Sequence, residues 1–569
     1  MATLPGDVLL CICEELSNQQ EFGTLFNCAT TGKSLAGIAL GWLYKIHHLS
    51  PVISSEGNDA ELTKNQGLKY SDRVAEQKKM IAKWALQWKS VLRSGLGQTL
   101  YPYGLYIRVL DLRNLTELLE ESLFREFEQQ DFFSGEMAQF LKVQETPVKR
   151  KRPGTKGAYT RLNIPLILDA VGESLTQYVD ASASQNHSTV ALEDLSGNIN
   201  AESLPRWTSR LSKLKSLTLW DGGVLDASVA TSISTNCYDF DDLTFYGLGD
   251  DKDATLSSFL SALRPNTLRS FTALSAGGVG PETLLALNNH SKSLRILKLN
   301  GLELIGIKNL NLLQGCESLE VLELIGNLPA GYIDLKNTEN DVFLEIVAWL
   351  RKCVQLRELS LEALVSSPLI LTEICLCNDI KLRKLVVDGY LMVHSQNFHR
   401  SLSHQTSLEH LHLKADAEGS FRDDIDILIH SISQLPQLKY LNILNTSEYF
   451  QGPDIQSLVP HLKNLEELWF SGYDVDDRIW QPLSGLHQLR VLNVLALSYF
   501  TLNGCLAFIS TLKPTNQGLL LAAMNQATTH GLSEAEQTIV RNAIKDKVGG
   551  SFDFVLFRED DSESEIDSD

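Results

Sequence analysis

Apolar residues recur along most of the chain in a six-residue pattern, L-x-x-L-x-L, whose intervening positions are mostly polar. Most copies lie about 26 residues apart. Alternation of apolar and polar residues predicts a strand with one buried face, and the segments between copies, such as 282–293, place apolar residues at helical spacing. Each unit is therefore predicted to be one strand followed by one helix. Clear copies begin at Leu214, Phe240, Leu268, Leu294, Leu319, Leu356, Leu382, Leu408, Leu438, Leu465 and Leu489, and weaker ones at Ile107, His187, Asn516 and Ser551.

A single strand–helix unit cannot cover its own apolar face, so neighbouring units must stack to build one continuous core. The phrase and its period resemble those of leucine-rich repeats. The predicted fold class is α/β: a leucine-rich-repeat solenoid, or horseshoe, with a parallel sheet on the concave face and helices outside. Unrelated strand–helix units in a doubly wound sheet are the alternative, but they do not account for a repeated hexapeptide.

The N-terminal stretch LPGDVLLCICEEL (4–16) predicts a short amphipathic helix with Val8, Leu9, Ile12 and Leu16 on one face. Residues 22–44 supply two further apolar stripes. Two or three short helices within about forty residues form a core too small for reliable independent stability. Support from the rest of the chain, or from another protein, is therefore expected.

The order Leu-Pro-x-Asp-Val-Leu resembles the start of an F-box, and residues 24–44 resemble its continuation. Residues 83–112 are similar to the bridge in fungal F-box proteins with leucine-rich repeats. This resemblance implies a small all-α F-box ahead of the solenoid. Residues matching the family's adaptor-facing or module-core positions are Leu4, Pro5, Val8, Leu9, Ile12, Leu16, Leu25 and Cys28. A helix that merely caps the repeats is the alternative interpretation.

The resemblance implies a substrate-recognition subunit of an SCF (Skp–cullin–F-box) ubiquitin ligase, with no catalysis and no cofactor of its own. The F-box would bind a Skp-type adaptor, which connects it to a cullin, and the repeats would bind a protein substrate. The implied organisation is an F-box (1–45), a helical connector (46–100), a first repeat-like unit (101–143), a disordered basic loop (144–160), the repeats with a C-terminal cap (161–557) and a disordered acidic tail (558–569).

Substrate contacts are predicted on the outward positions of the repeated phrase. Its third and fifth residues, and the residue just after it, point away from the core, toward the concave face that solenoids commonly use for binding. Aromatic residues among mixed charges suit a protein ligand, whereas an ordinary solvated strand face is the alternative. The candidates are Trp220, Tyr246, Glu323, Glu358, Lys384, His410, His412, Tyr440 and Trp469.

Charge and composition restrict the possible partners. The chain has 70 acidic and 50 basic residues and a net charge of −20, which argues against a duplex nucleic-acid binder. No stretch approaches the length of a membrane span, and the run VLLCIC lacks the basic residues of a signal peptide. The nine cysteines show no zinc-ligand spacing and fit a reducing compartment. We expect no membrane association and a cytoplasmic or nuclear location.

Other short motifs offer little chemistry. TGKS (31–34) resembles part of a phosphate-binding loop, but Asn27 stands where the first glycine is required. His410 and His412 could approach a metal, yet no third ligand is identifiable. A basic run predicts a nuclear import signal, with a solvated loop as an equal alternative: Lys149, Arg150, Lys151 and Arg152. Ser562 and Ser564, each with an acidic residue three positions on, are predicted phosphorylation sites.

Two other functions remain open from the sequence. One is a scaffold that binds a partner protein through its repeats without ubiquitin transfer, and co-purification of adaptor with cullin distinguishes it from a ligase subunit. The other is a regulatory repeat protein such as a GTPase activator. That activity calls for a catalytic arginine on a repeat loop, and the pattern isolates none.

Overall fold

The computed structural model of the chain describes residues 4–50, 70–144, 161–185, 190–327, 333–526 and 531–557. The chain divides into two compact units, Met1–Phe271 and Thr272–Asp569, and each unit is described by itself. Within the described residues, no helix combines the length and apolar character needed to cross a membrane.

Unit 1 begins with three helices, α1 (Gly6–Asn18), α2 (Phe22–Thr31) and α3 (Lys33–Lys45). We call these helices the N-terminal module. Helix α1 starts directly after Pro5, a residue whose fixed φ suits a helix start. The buried centre of the module is formed by Cys13, Leu25 and Ala39, one residue from each helix. A core of this size gives the module little stability of its own.

The N-terminal module contacts a long helix, α4 (Tyr70–Gly95), that follows it in unit 1. The Tyr44 hydroxyl of α3 lies 2.6 Å from Ser90 Oγ on α4, and burial raises the pKa of Tyr44 to about 12. Helix α4 also contacts the first strand–helix unit of the repeats. The indole N–H groups of Trp84 and Trp88 on α4 both donate to Asn114 Oδ1 in that unit. The further α-helices of unit 1 are α5 (Tyr103–Tyr106), α6 (Leu112–Glu120), α7 (Gln129–Phe132), α8 (Ile164–Gln185), α9 (Ser203–Thr208), α10 (Ala227–Asn236) and α11 (Asp253–Ala262).

Four parallel strands pair in chain order in unit 1: β1 (Val109–Asp111), β2 (Asp194–Gly197), β3 (Ser216–Asp221) and β4 (Asp242–Gly247). The copy predicted from Ile107 has the observed register. The copy predicted from His187 is wrong, because Asp194 pairs with Ser216 and the phrase therefore begins at Leu192. Gly197 stands where the last leucine of the phrase belongs, and this substitution hid the true copy. The next strand, β5 (Ser270–Ala273), contains the division between the units.

The described residues of unit 2 form ten parallel strands, β6–β15, each paired with the next along the chain. Buried and outward residues alternate along them, and the buried ones include Leu297, Leu322, Leu359, Leu411 and Leu441. Their bounds are Ile296–Leu302, Val321–Gly326, Glu358–Glu362, Lys384–Leu391, His410–Asp416, Tyr440–Ile443, Glu467–Asp476, Val491–Tyr499, Leu520–Gln526 and Ser551–Phe557.

The helices of unit 2 alternate with these strands. Their bounds are α12 (Pro281–Ala286), α13 (Leu304–Lys308), α14 (Leu335–Thr338), α15 (Asn340–Lys352), α16 (Ser367–Cys375), α17 (Gln396–Leu402), α18 (Arg422–Ser433), α19 (Gly452–Leu458), α20 (Trp480–Leu483), α21 (Leu502–Thr511) and α22 (Glu534–Val548). The predicted capping box at the last helix is present, since the Ser533 hydroxyl accepts from the Glu536 N–H and the Glu536 carboxylate accepts from the Ser533 N–H.

For the copies predicted from Asn516 and Ser551, the buried and outward residues are assigned correctly, but the start of each phrase is displaced by two residues. The residues that align with Leu492 and Val494 of β13 are Leu521 and Ala523, and Phe552 and Phe554 continue this register in β15. A two-residue shift preserves the alternation of faces. The consecutive leucines at 519–521 make the register ambiguous from the sequence alone.

Among the described strands of unit 2, three carry a one-residue bulge near their carboxyl end, and β13 has a wider irregularity between Val494 and Ser498. The register slips by one residue at Gly301 in β6, at Gly389 in β9 and at Asp474 in β12. Each of these residues has a positive φ, between 54° and 78°, as bulges often require. Within each unit, the repeated phrase, parallel strands and alternating helices confirm the predicted α/β leucine-rich-repeat solenoid fold.

Candidate functional site

Helix α1 of the N-terminal module is apolar on two faces. Cys13 is buried and Leu16 packs against the module core, whereas Leu4, Val8 and Ile12 are 56%, 39% and 42% exposed. Val8, Leu9, Ile12 and Leu16 share one side of the helix as predicted, but burial divides that side: Val8 and Ile12 are exposed, whereas Leu9 is half-buried and Leu16 packs on the core. At about 100° per residue these four side chains fall within an arc of about 100°, in the order Val8, Ile12, Leu16 and Leu9, and the buried Cys13 lies about 40° beyond Leu9.

The eight predicted adaptor-binding residues divide between the surface and the interior of the module. Leu4, Pro5, Val8 and Ile12 are exposed and Leu9 is half-buried. Leu25 is fully buried, and Leu16 and Cys28 pack on the same core, so these three residues are available to stabilise the module rather than to contact a partner. Sequence reasoning missed Cys13 as a core residue and Phe26 as an exposed one. We call Leu4, Val8 and Ile12 the α1 stripe.

On the outward face of the unit 1 strands, Trp220 and Tyr246 stack on each other. Their ring centroids are 4.5 Å apart with an interplanar angle of 24°. Arg113, which the sequence did not single out, places its guanidinium 5.6 Å from the centre of the Trp220 ring and 3.1 Å from the Asp111 carboxylate. The nearby carboxylates raise the pKa of Arg113 above its ordinary value against the effect of burial. One side of this aromatic pair therefore already contacts a cation of the chain itself.

In unit 2, four of the predicted residues align side by side on adjacent strands. Glu358 pairs with Lys384, Lys384 with His410, and His410 with Tyr440. The His410 and Tyr440 rings are stacked, with centroids 3.9 Å apart and an interplanar angle of 4°. Burial and the Lys384 ammonium lower the pKa of His410 to about 4, so this imidazole is neutral near pH 7 and presents a flat, uncharged ring.

The remaining predicted residues of unit 2, Glu323, His412 and Trp469, lie two positions further along their strands. Lys298 pairs with Glu323 at 3.3 Å. Burial also lowers the pKa of His412. The Trp469 indole nitrogen is buried and has no hydrogen-bond partner among the described residues. Throughout the described part of the chain, no three His, Cys, Asp or Glu side chains come together in a way that could hold a metal ion.

An acidic cavity of about 450 Å³ opens near the carboxyl ends of β8–β10. It contains four carboxylates, those of Glu362, Asp388, Asp416 and Glu448, and the ammonium of Lys414. Lys414 Nζ lies 3.1 Å from Asp388, which leaves the cavity with a net negative charge. The backbone shapes this space: Ala363 and Gly389 both have positive φ, and a Cβ at Gly389 would lie 3.2 Å from Ala363 Cα.

Five apolar side chains lie on the outward face of β13–β15 beside the polar Asn493 and Ser551, and we call them the apolar patch: Val491, Leu495, Leu520, Met524 and Val555. Leu495, Leu520 and Val555 are 41%, 52% and 52% exposed, and Val491 and Met524 lie beside them. Among the outward positions described on these strands, Asp553 is the one charged residue. The sequence analysis named no residue here, although the alternation that identified the other face residues extends to these strands.

The predicted import signal, Lys149, Arg150, Lys151 and Arg152, and the predicted phosphorylation sites, Ser562 and Ser564, lie outside the described residues. The predicted domain boundaries also remain predictions.

Comparisons with known proteins give similarity to solved structures alone. No protein-family model matches the chain, and a search of curated proteins gives no match. Solved structures with similarity include an internalin, InlF, from Listeria monocytogenes, with 14% identity, a TM-score of 0.35, and coverage of 63% of this chain and 90% of that one.

Two further solved structures share similarity with the chain. The yeast Rad7 and Elc1 complex has 17% identity, a TM-score of 0.36, and coverage of 58% of this chain and 84% of the matched chain. A TLR13–ssRNA13 complex has 13% identity, a TM-score of 0.30, and coverage of 68% and 52%. Similarities at this level carry no argument about function, which therefore rests on the surfaces described above.

Proposed function

We propose that the chain is a substrate-recognition subunit of an SCF-type ubiquitin ligase. In this proposal the N-terminal module binds a Skp-type adaptor, which connects it to a cullin, and the outward faces of the repeat strands bind a protein substrate. The observation that carries the proposal is the α1 stripe: Val8 and Ile12 are exposed on a helix whose other side already packs into the module core, and Leu4 is exposed just before that helix.

Two physical arguments support this function. An amphipathic helix placed in an apolar groove is a recurrent mode of recognition, with anchors three or four residues apart. Val8 and Ile12 have this spacing on α1, and the exposed Leu4 lies two residues before the helix begins. The module core made by Cys13, Leu25 and Ala39 does not use these residues. Repeat solenoids bind protein partners along extended faces, so one chain can hold an adaptor and a substrate on separate surfaces.

Capture of the adaptor tests the proposal directly. The full chain with Ile12→Asp is expected to lose co-purifying Skp-type adaptor and cullin, because a charge would be buried at the centre of the contact. Leu86→Asp is the matched control, since Leu86 is a 65% exposed apolar residue on α4. Ile12→Asp is preferable to Leu9→Asp, since Leu9 is half-buried and its replacement would also perturb the fold.

Three outcomes are distinguishable. Loss of adaptor and cullin with Ile12→Asp but not with Leu86→Asp supports the proposal. Retention of both proteins by a folded Ile12→Asp chain contradicts it. Capture of partner proteins through the repeats without adaptor or cullin would favour the scaffold that performs no ubiquitin transfer.

A further inference from the structure

The outward face of unit 2 changes character along its length. Its middle strands, β8–β10, carry charged residues and end at the acidic cavity, whereas β13–β15 present the apolar patch. Between these strands lies the exposed Tyr473 on β12, whereas the His410–Tyr440 stack lies at the start of β10 and β11, four residues before the cavity residue Lys414. Exposed leucine and valine side chains on the outward face of a strand do not stabilise the core beneath it. The apolar patch therefore marks a surface where a partner could bind.

The charges of the acidic cavity indicate what that partner carries. Lys414 neutralises one of the four carboxylates through its contact with Asp388. Within the described residues, Glu362, Asp416 and Glu448 form no ion pair with a cationic side chain. Glu362 accepts from the Ser360 hydroxyl at 2.6 Å, and Asp416 accepts from the backbone N–H of Glu418. A lysine or arginine side chain complements such a cavity, because it supplies both charge and hydrogen-bond donors.

The spacing of the two features suits one extended segment. Four strand intervals separate β9 from β13, and neighbouring strands lie about 4.8 Å apart, which gives about 19 Å. An extended chain covers that distance in about six residues at roughly 3.3 Å each. Tyr473 on β12 lies between these strands and is 40% exposed, and aromatic side chains of this kind are favoured contact residues.

We infer that the outward face of β8–β15 binds an extended protein segment that places a basic side chain in the acidic cavity and apolar side chains, about six residues away, on the apolar patch. The inference rests on the substrate-binding half of the proposed function and specifies the class of substrate. It does not depend on the adaptor.

Selection of peptides tests this inference. Phage-displayed random 16-residue peptides are selected on the full chain, and the enriched peptides are synthesised for fluorescence anisotropy. We expect Lys or Arg about six residues from a pair of apolar residues. Glu362→Lys combined with Asp416→Lys should weaken binding at least about tenfold, and so should Leu495→Asp combined with Val555→Asp.

Matched controls lie on the helices of unit 2. Glu373→Lys changes an exposed acidic residue of α16, and Leu344→Asp changes a 54% exposed leucine of α15, so both should leave peptide binding within about twofold. A peptide with its basic residue replaced by Glu should bind the cavity variant better than it binds the parent chain, because the charges are then complementary.

The inference is overturned if no peptide is enriched, if enriched peptides lack a basic residue, or if they bind the cavity and patch variants as well as the controls. Circular dichroism of each variant confirms that the fold is retained. Adaptor capture by the same variants keeps the two proposals separate, because unchanged capture with lost peptide binding affects the substrate site alone. Lost capture by Ile12→Asp leaves the peptide result standing.

Discussion

The N-terminal module and the repeat strands of unit 2 use apolar residues in different ways. In β6–β15 the leucines of the repeated phrase point inward and are fully buried between neighbouring strands and helices. In α1 of the module, by contrast, apolar residues point both inward, at Cys13 and Leu16, and outward along the α1 stripe. Apolar residues of the repeated phrase therefore form a core, whereas those of α1 are divided between a core and an exposed surface.

This difference shows where function can be sought without knowledge of a ligand. Exposed apolar side chains that occur singly, such as Leu285, are ordinary. Grouped ones, in the α1 stripe and in the apolar patch, are not required by the core beneath them and therefore mark candidate contact surfaces. The comparison predicts that core substitutions affect stability and stripe or patch substitutions affect binding.

The largest effect on stability is expected in the repeats of unit 2. Trp349 on α15 is 1% exposed, and its indole N–H donates to the Cys316 carbonyl at 3.1 Å. Trp349→Ala should lower the free energy of unfolding by about 4 kcal/mol through the cavity and the lost hydrogen bond. Urea denaturation measures this change, and Leu344→Ala on the exposed side of the same helix should cost less than about 0.5 kcal/mol.

A slightly smaller and more local effect is expected in the N-terminal module. Leu25 is fully buried, whereas its neighbour Phe26 is 57% exposed. Substitutions at these two adjacent positions are therefore expected to have different effects on the stability of the module. Leu25→Ala should destabilise the module by about 3 kcal/mol, and Phe26→Ala should leave it unchanged. Hydrogen exchange resolved by peptide should show lost protection within residues 6–45 and unchanged protection in β6–β15. Loss of protection throughout unit 2 would contradict the separation of the two regions.

The sequence predicts the repeats better than the module, for a physical reason. In the repeats, a residue at a core position is fixed by its phrase and by its equivalents in the neighbouring units, so the faces of Leu411 and His410 could be assigned before the structure was known. In α1 most positions are apolar, and a helix with apolar residues all round does not reveal which face is buried. The roles of Val8 and Leu16 could therefore not be separated.

Errors within the repeats have a similar origin. The copy that begins at Leu192 has Gly197 at the position of its last leucine, so the pattern did not identify it. The three consecutive leucines at 519–521 are compatible with several strand registers. The acidic cavity was not predictable, because it depends on the positive φ of Ala363 and Gly389 and on which carboxylates meet across three strands. Arg113 was missed because it comes from a distant part of the sequence to reach Trp220.

A third prediction concerns the polar contacts that hold neighbouring repeats together. The Asn516 amide donates to the buried carbonyls of Leu486 and Leu489, and at Cys353 a thiol donates to the Cys316 carbonyl instead. Asn516→Ala should cost about 2 kcal/mol, because both carbonyls lose the amide donor and, among the described residues, only the Leu486 carbonyl keeps another, the Leu489 N–H at 3.3 Å. Cys353→Ala should cost about 1 kcal/mol. Thermal or urea unfolding measures both. Equal costs would indicate that packing, rather than carbonyl pairing, dominates at this position.

The smallest effect is expected at the boundary between core and surface, at His410. Its pKa is lowered to about 4 in the folded chain by burial and by Lys384, against about 6.5 when the chain is unfolded. The unfolded chain therefore binds more protons between these values. The stability contributed by neutral His410 is fully present above pH 6.5 and is lost as the pH falls toward 4.

His410→Phe keeps a flat ring against Tyr440 and cannot be protonated. The decrease in Tm between pH 7 and pH 5 should be smaller in this variant than in the parent chain, by about a degree or more. His47 and His399, whose pKa values burial also lowers to about 4, are present in both proteins, so the difference between them isolates His410. At pH 8 neither state of the chain protonates His410, and the remaining difference in Tm measures packing alone. An identical pH dependence in the two proteins would mean that the ring is more accessible to water than its stacking on Tyr440 implies, and that this part of the face behaves as surface rather than as core.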